Sequence, residues 1–154
     1  MTQSRNVVIA MDESHHSDDA FQYYMKNVYR PEDQVTILYV PEYHTVIQSP
    51  MVMTDATVVT DILKEEERRI KTFLDNLGQK LKTAGIGGHV KSMGGNPGEV
   101  IVRVSRDMNA QLIVLGSRGM GTIRRTLLGS VSDYVMHHSP IPVLICKHLD
   151  GHTH

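Results

Sequence analysis

The residues most able to do chemistry lie between Gly116 and Ser130, where the chain reads GSRGMGTIRRTLLGS. Glycines let a backbone approach a ligand closely and adopt positive φ, and successive exposed amides can form a concave anion site. Gly129-Ser130 adds the start of a helix, whose unpaired N–H groups and positive dipole end suit phosphate, with the Ser130 hydroxyl as a further donor. The dipole is worth only about 0.3–1 kcal/mol when exposed. Charge-assisted amide contacts contribute about 1.5–3 kcal/mol each, so loop geometry should dominate affinity for an anion. The same stretch has a plainer reading as a turn between a strand and a helix. Elsewhere no nucleophile–base pair, no clustered carboxylates and no metal-ligand spacing stand out, which argues against efficient catalysis.

These residues need elements to hold them. Short apolar runs rich in β-branched residues occur at Asn6–Met11, Gln34–Val40, His89–Met93, Gln111–Gly116 and Pro142–Lys147, and read as five strands. Helical spacing fills the intervals. Ser17–Val28 forms the first helix, and a long second one carries a stripe from Val59 through Ile70, Leu77 and Leu81 to Ala84. The run Glu65-Glu66-Glu67-Arg68-Arg69 inside it reads as solvated helix surface. The third helix begins where Asn96 can cap, Pro97 suits the first position and Glu99 completes a capping box. The last runs from about Gly129 to His138 and stops before Ser139-Pro140. Pro41–Ala56 lacks periodicity and reads as a long loop.

Strands alternating with helices predict a single α/β domain over residues 1–154: a doubly wound, Rossmann-like or flavodoxin-like parallel sheet of five strands with helices on both faces. Ligands of such sheets occupy the crevice beyond the carboxyl ends of the strands, where strand order reverses. In the flavodoxin-like order 3-2-1-4-5 that reversal flanks the first strand. Asp12, Val40 and Gly116, at the ends of the first, second and fourth strands, would then face one crevice.

The full pattern Gly-x2-Gly-x9-Gly-Ser, from Gly116 through Gly119 to Gly129 and Ser130, resembles the ATP-binding signature of universal stress proteins. VSDYVMHHSPIPVLICK after it and VVIAMDES near the start are similar to that family's closing and opening segments, so the resemblance spans nearly the whole chain. No Gly-Lys-Ser/Thr of a Walker motif follows the glycines, and the dinucleotide fingerprint is absent after the first strand. The resemblance implies that Asp12 contacts the ribose or adenine edge, that Val40 presents backbone groups to the base, and that Gly116 packs near the ribose. Gly119, Gly129, Ser130 and Val131 would line the phosphates of ATP, with Mg2+ or Mn2+ held by phosphate oxygens and water. It also implies a homodimer through the fifth strand, an apolar edge with unpaired backbone groups. Gln111 departs from the family, which commonly has an acidic residue there, and puts a local hydrogen bond in question.

Other readings stay open beside these. Asp12 and Ser130 could each cap a helix. Arg118, Arg124 and Arg125 could supplement phosphate charge or be solvated. The pairs His15-His16 and His137-His138 point to different sides, against a shared metal, and Cys146 reads as inert core. Lys and Arg total 16 against 17 Asp and Glu, a formal charge of -1, so no basic field attracts nucleic acid or anionic lipid. One cysteine and no apolar run near the roughly 18–20 residues of a membrane span suggest a cytoplasmic protein. The function expected is a nucleotide-dependent regulatory or stress-response module read by other proteins. A slow ATPase or phosphotransfer enzyme using the same site is the alternative, and a flavodoxin-like electron carrier is disfavoured by only two Phe and no Trp.

Overall fold

A computed structural model of the chain describes residues 4–41, 56–117 and 128–147. Among them strands and helices alternate: β1 (Arg5–Ala10), α1 (His15–Asn27), β2 (Asp33–Tyr39), α2 (Ala56–Ala84), β3 (Gly88–Ser92), α3 (Pro97–Asp107), β4 (Leu112–Gly116), α4 (Ser130–His138) and β5 (Val143–Cys146). The strands form one parallel sheet in the order β3-β2-β1-β4-β5, as the sequence predicts. The pleat sends Val7, Ile9, Val35, Ile37 and Val114 to a core with Phe21 and Tyr24 of α1 and Leu77 of α2. Val8, Ala10, Leu38, Ile113 and Leu115 face the other way, onto Val100 and Ile101 of α3 and Val135 of α4. With both faces covered, the central strands are apolar without alternation.

Local rules set the element ends, with some departures. α1 starts at His15, earlier than the spacing suggested, because Ser14 caps it by accepting from the Ser17 amide at 3.4 Å. α2 begins at Ala56, which is therefore helix rather than loop; residues 42–55 of the expected loop lie outside the described residues. α2 has 29 residues, about 43 Å at 1.5 Å each, yet its buried residues are Ile70, Leu77 and Leu81, all in its second half. Asn96 caps α3 as expected, accepting from the Glu99 amide at 3.2 Å. The residue after β4's approach turn, Gln111, answers the question its identity raised. Its amide oxygen accepts from the Asn6 N–H at 2.9 Å and its own N–H donates to the Asn6 carbonyl at 2.8 Å, so the local hydrogen bond is made by a neutral acceptor.

At the amino ends of β1 and β2, Arg5 donates two bonds to Asp33, at 2.9 and 2.7 Å, and the Tyr24 hydroxyl donates to the same carboxylate. The Arg30 amide adds a fourth donor at 3.1 Å. This network ties α1 to both strands at the end of the sheet opposite the crevice.

Ser105 on α3 is fully buried, and its hydroxyl has no hydrogen-bond partner among the described residues. Ser105→Ala is expected to leave stability unchanged or raise it by up to about 1 kcal/mol, because a desolvated hydroxyl without a partner costs free energy. Chemical denaturation would reveal this, and a loss of stability would show that the hydroxyl is satisfied in solution.

Candidate functional site

Strand order places the ends of β2, β1 and β4 side by side, so the segments leaving them share one edge of the sheet. Asp12, Val40 and Gly116 come together there as the sequence predicts. The Met11 amide still bonds the Leu38 carbonyl at 2.9 Å, after which the chain turns toward α1. Asp12 does not cap α1. Its Oδ1 accepts from the Ser14 amide at 2.8 Å and from the Ser14 hydroxyl, while the Asp12 amide donates to Ser17 Oγ at 3.2 Å. The carboxylate is thus anchored on one oxygen to the residue that caps the helix. The Val40 side chain is buried in the α3–α4 core, so its main chain is what it offers to a ligand.

Gly116 has a packing role the sequence did not disclose. A Cβ there would stand 2.7 Å from the His16 carbonyl oxygen and 3.0 Å from its carbon, so the end of β4 lies directly on the first turn of α1. Beyond it, the Gly129 amide donates to the Ser117 carbonyl at 2.6 Å, and the Ser132 hydroxyl donates to the Gly116 carbonyl at 2.5 Å. These two bonds bring the start of α4 to the end of β4. Ser132 was missed in the sequence, although its place three residues after Gly129 in a serine-bearing first turn was a signal.

Gly129 occupies the N-cap position, and α4 has no side-chain cap hydrogen bond. Ser130 is therefore the first helical residue rather than a cap, and its side chain is exposed. The first intrahelical acceptor, the Gly129 carbonyl, takes the Asp133 amide at 2.9 Å. The amides of Ser130, Val131 and Ser132 accordingly have no acceptor within the helix. Because the Gly129 amide is engaged by Ser117, Gly129 contributes shape at this corner rather than a donor. Gly119 lies outside the described residues, as do Arg118, Arg124 and Arg125.

A charged cluster borders the Asp12 turn. Glu13 accepts from the Tyr39 hydroxyl at 3.2 Å and from Arg69 Nη1, while Arg69 Nη2 reaches Glu66 at 2.9 Å. Burial, and then the neighbouring Glu13 carboxylate, push the Tyr39 phenol up to about 12. Hydrogen bonds to Glu13 and Glu66 raise the Arg69 guanidinium further above its ordinary range. The expectation that Glu65 to Arg69 is plain solvated surface is thus corrected: Glu65, Glu67 and Arg68 are exposed, but Glu66 and Arg69 are half-buried and tied to Glu13.

Among the described residues no group of three or more His, Cys, Asp or Glu could hold a metal. His137 and His138 bond carbonyls of their own helix, at 2.8 and 2.9 Å. Cys146 is buried, and burial pushes its thiol pKa up, in keeping with an inert core residue. No helix of the described residues is long and apolar enough to cross a membrane.

An open sheet of five parallel strands, helices on both faces and an uncapped helix start beside the switch point define an α/β protein of the doubly wound class. The chain belongs to the universal stress protein family, whose sequence model matches residues 3–147. It is 32% identical over 91 residues to universal stress protein Sll1388 of Synechocystis, an alignment covering 59% of this chain and 59% of that protein. Universal stress protein UspA from Lactobacillus plantarum superposes with a TM-score of 0.74 at 23% identity, over 94% of this chain and 99% of that one. A universal stress protein family member from Arabidopsis thaliana, described with AMP bound, gives 0.67 at 18% identity, over 97% and 95%.

Proposed function

We propose that this protein binds ATP at the shared edge of β2, β1 and β4 and acts as a nucleotide-dependent regulatory module of the cytoplasmic stress response. The observation that carries the reading is the start of α4. Three first-turn amides without helical acceptors, and without a side-chain cap, lie beside the end of β4. An anion is the natural partner for such a group. Asp12 would hold the ribose or adenine edge, the Val40 main chain the base, and Gly116 the space near the ribose. Gly119, Gly129, Ser130 and Val131 would line the phosphates. The chain offers no metal-ligating cluster among its described residues. Mg2+ or Mn2+ would be held by phosphate oxygens and water, as hard cations prefer.

ATP could regulate only through its differential affinity for two states of the protein. Calorimetric titration of the protein with ATP, followed by mass spectrometry of the released ligand, tests the reading. Single-site binding with ATP recovered intact fits a regulatory module. Accumulating ADP would point to slow hydrolysis, and no binding would remove the proposal.

We further propose a homodimer through β5, whose outer edge is not paired within the described chain. The Ile113 amide bonds the Pro142 carbonyl and the Ser117 amide the Cys146 carbonyl. The parallel register Ile113↔Val143 then turns the Leu144 and Cys146 amides toward β4 and those of Val143 and Ile145 outward. Ile145→Pro should therefore give a folded monomer by sedimentation, since it removes an outward donor and no ladder bond. A dimer unaffected by that substitution would place the interface elsewhere.

A further inference from the structure

Glu13 follows Asp12 directly, and its carboxylate is held from the far side by α2. Arg69 Nη1 and the Tyr39 hydroxyl both donate to Glu13 Oε2, and Arg69 is itself fixed by Glu66 one turn earlier on the helix. Tyr39 is 2% exposed and packs edge-on against Phe73 of α2, with ring centroids 4.7 Å apart. Its hydroxyl is thereby a rigid reference point. On the other side, Ser14 and Ser17 bind the Asp12 carboxylate and amide. The turn from Asp12 to Ser14 is clamped between α1 and α2, and only one of those clamps is local in sequence. Arg69 immediately precedes Ile70, the first buried residue of α2, so it sits where that helix meets the body.

A half-buried ion pair still open to water adds only modestly to stability, and the Arg69 side chain is 37% exposed. What the arrangement does supply is geometry, since a planar guanidinium bridging two carboxylates restricts both. We propose that Arg69 is a positioning residue of the nucleotide site: by holding Glu13 against Tyr39 it fixes the main chain from which Asp12 addresses the nucleoside end of the ligand. This rests on the nucleotide reading given above.

The test compares ATP and AMP binding by calorimetry in the full chain, with melting measured alongside. Arg69→Met should weaken both ligands alike by about tenfold, the equivalent of one oriented hydrogen bond, and leave the melting temperature near that of the wild type. Arg69→Lys, which can meet one carboxylate but not grip two, should restore part of the loss. Glu13→Gln, which keeps the shape and removes the charge, should reproduce it. The proposal is overturned if Arg69→Met binds both ligands as the wild type does. A loss confined to ATP would put Arg69 at the phosphates, and a fall in melting temperature in step with affinity would make it a stability residue; either result also overturns it. Absence of ATP binding by the wild type defeats the underlying functional reading, and is seen without any variant.

Discussion

Gly116→Val is expected to destabilise the protein by about 3 kcal/mol, the upper part of the usual cost of overpacking. The reason is that the obstacle is backbone. A Cβ would meet the His16 carbonyl oxygen at 2.7 Å, and a carbonyl in the first turn of a helix cannot rotate aside as a long side chain could. Either α1 moves away from β4 or the end of β4 bends, and both alter the corner that Asp12 and the start of α4 share. For a chain of this length the melting temperature should fall by roughly 6–12 °C. Gly94→Ala is the control, since nothing lies within 4 Å of the added carbon. Calorimetric melting of the two variants should separate them clearly. Equal melting temperatures would show that the contact between β4 and α1 is looser in solution.

Asp33→Ala is expected to cost about 3–5 kcal/mol, because removing one partner of a buried pair leaves the other uncompensated. The Asp33 side chain is fully buried, and its loss would strand the Tyr24 hydroxyl in the core along with Arg5 at its edge. Arg5 is 20% exposed, so partial rehydration should keep the effect toward the lower figure. The pH dependence has a definite sign. Burial alone would raise the Asp33 carboxyl, but hydrogen bonds from Arg5, Tyr24 and the Arg30 amide outweigh it and hold its pKa below the usual carboxylate range. A carboxylate depressed in the folded state stabilises fully above its unfolded pKa and loses that contribution as pH falls through the folded one. Denaturation curves should therefore differ most between wild type and variant near neutrality and converge in strong acid. A gap that stayed constant down to pH 2 would mean that Asp33 is not the group titrating.

The parts of the fold set by near neighbours were legible in the sequence. Apolar runs alternating with helical stripes predicted five parallel strands, the order 3-2-1-4-5 came from the flavodoxin-like pattern rather than from any local signal, and Asn96-Pro97 announced α3 by chemistry that needs only three or four residues. The crevice residues Asp12, Val40 and Gly116 followed from topology once that order was assumed. What local pattern could not decide was which of several competent groups does each job. Asp12 and Ser14 can both cap a helix, and the turn geometry gives the cap to Ser14 while Asp12 braces it. Glu13, Tyr39 and Arg69 are separated by 26 and 56 positions, so the packing of α2, rather than any motif, assembles their cluster. Gly116 read as a ligand-facing glycine, yet its close neighbour is a helix turn whose position no spacing rule supplies.

In the proposed complex, backbone amides at the start of α4 hold the phosphates of the nucleotide. Ser130→Pro tests this directly, since proline suits the first position of a helix and removes one amide there. Gly129 already has φ -69° and ψ 161°, a conformation that accepts a following proline. With Ser130→Ala as the control for the hydroxyl, ATP affinity measured by calorimetry should fall at least about tenfold in the proline variant, as expected for one charge-assisted hydrogen bond, with melting unchanged. Equal ATP affinity in Ser130→Pro and Ser130→Ala would contradict the account.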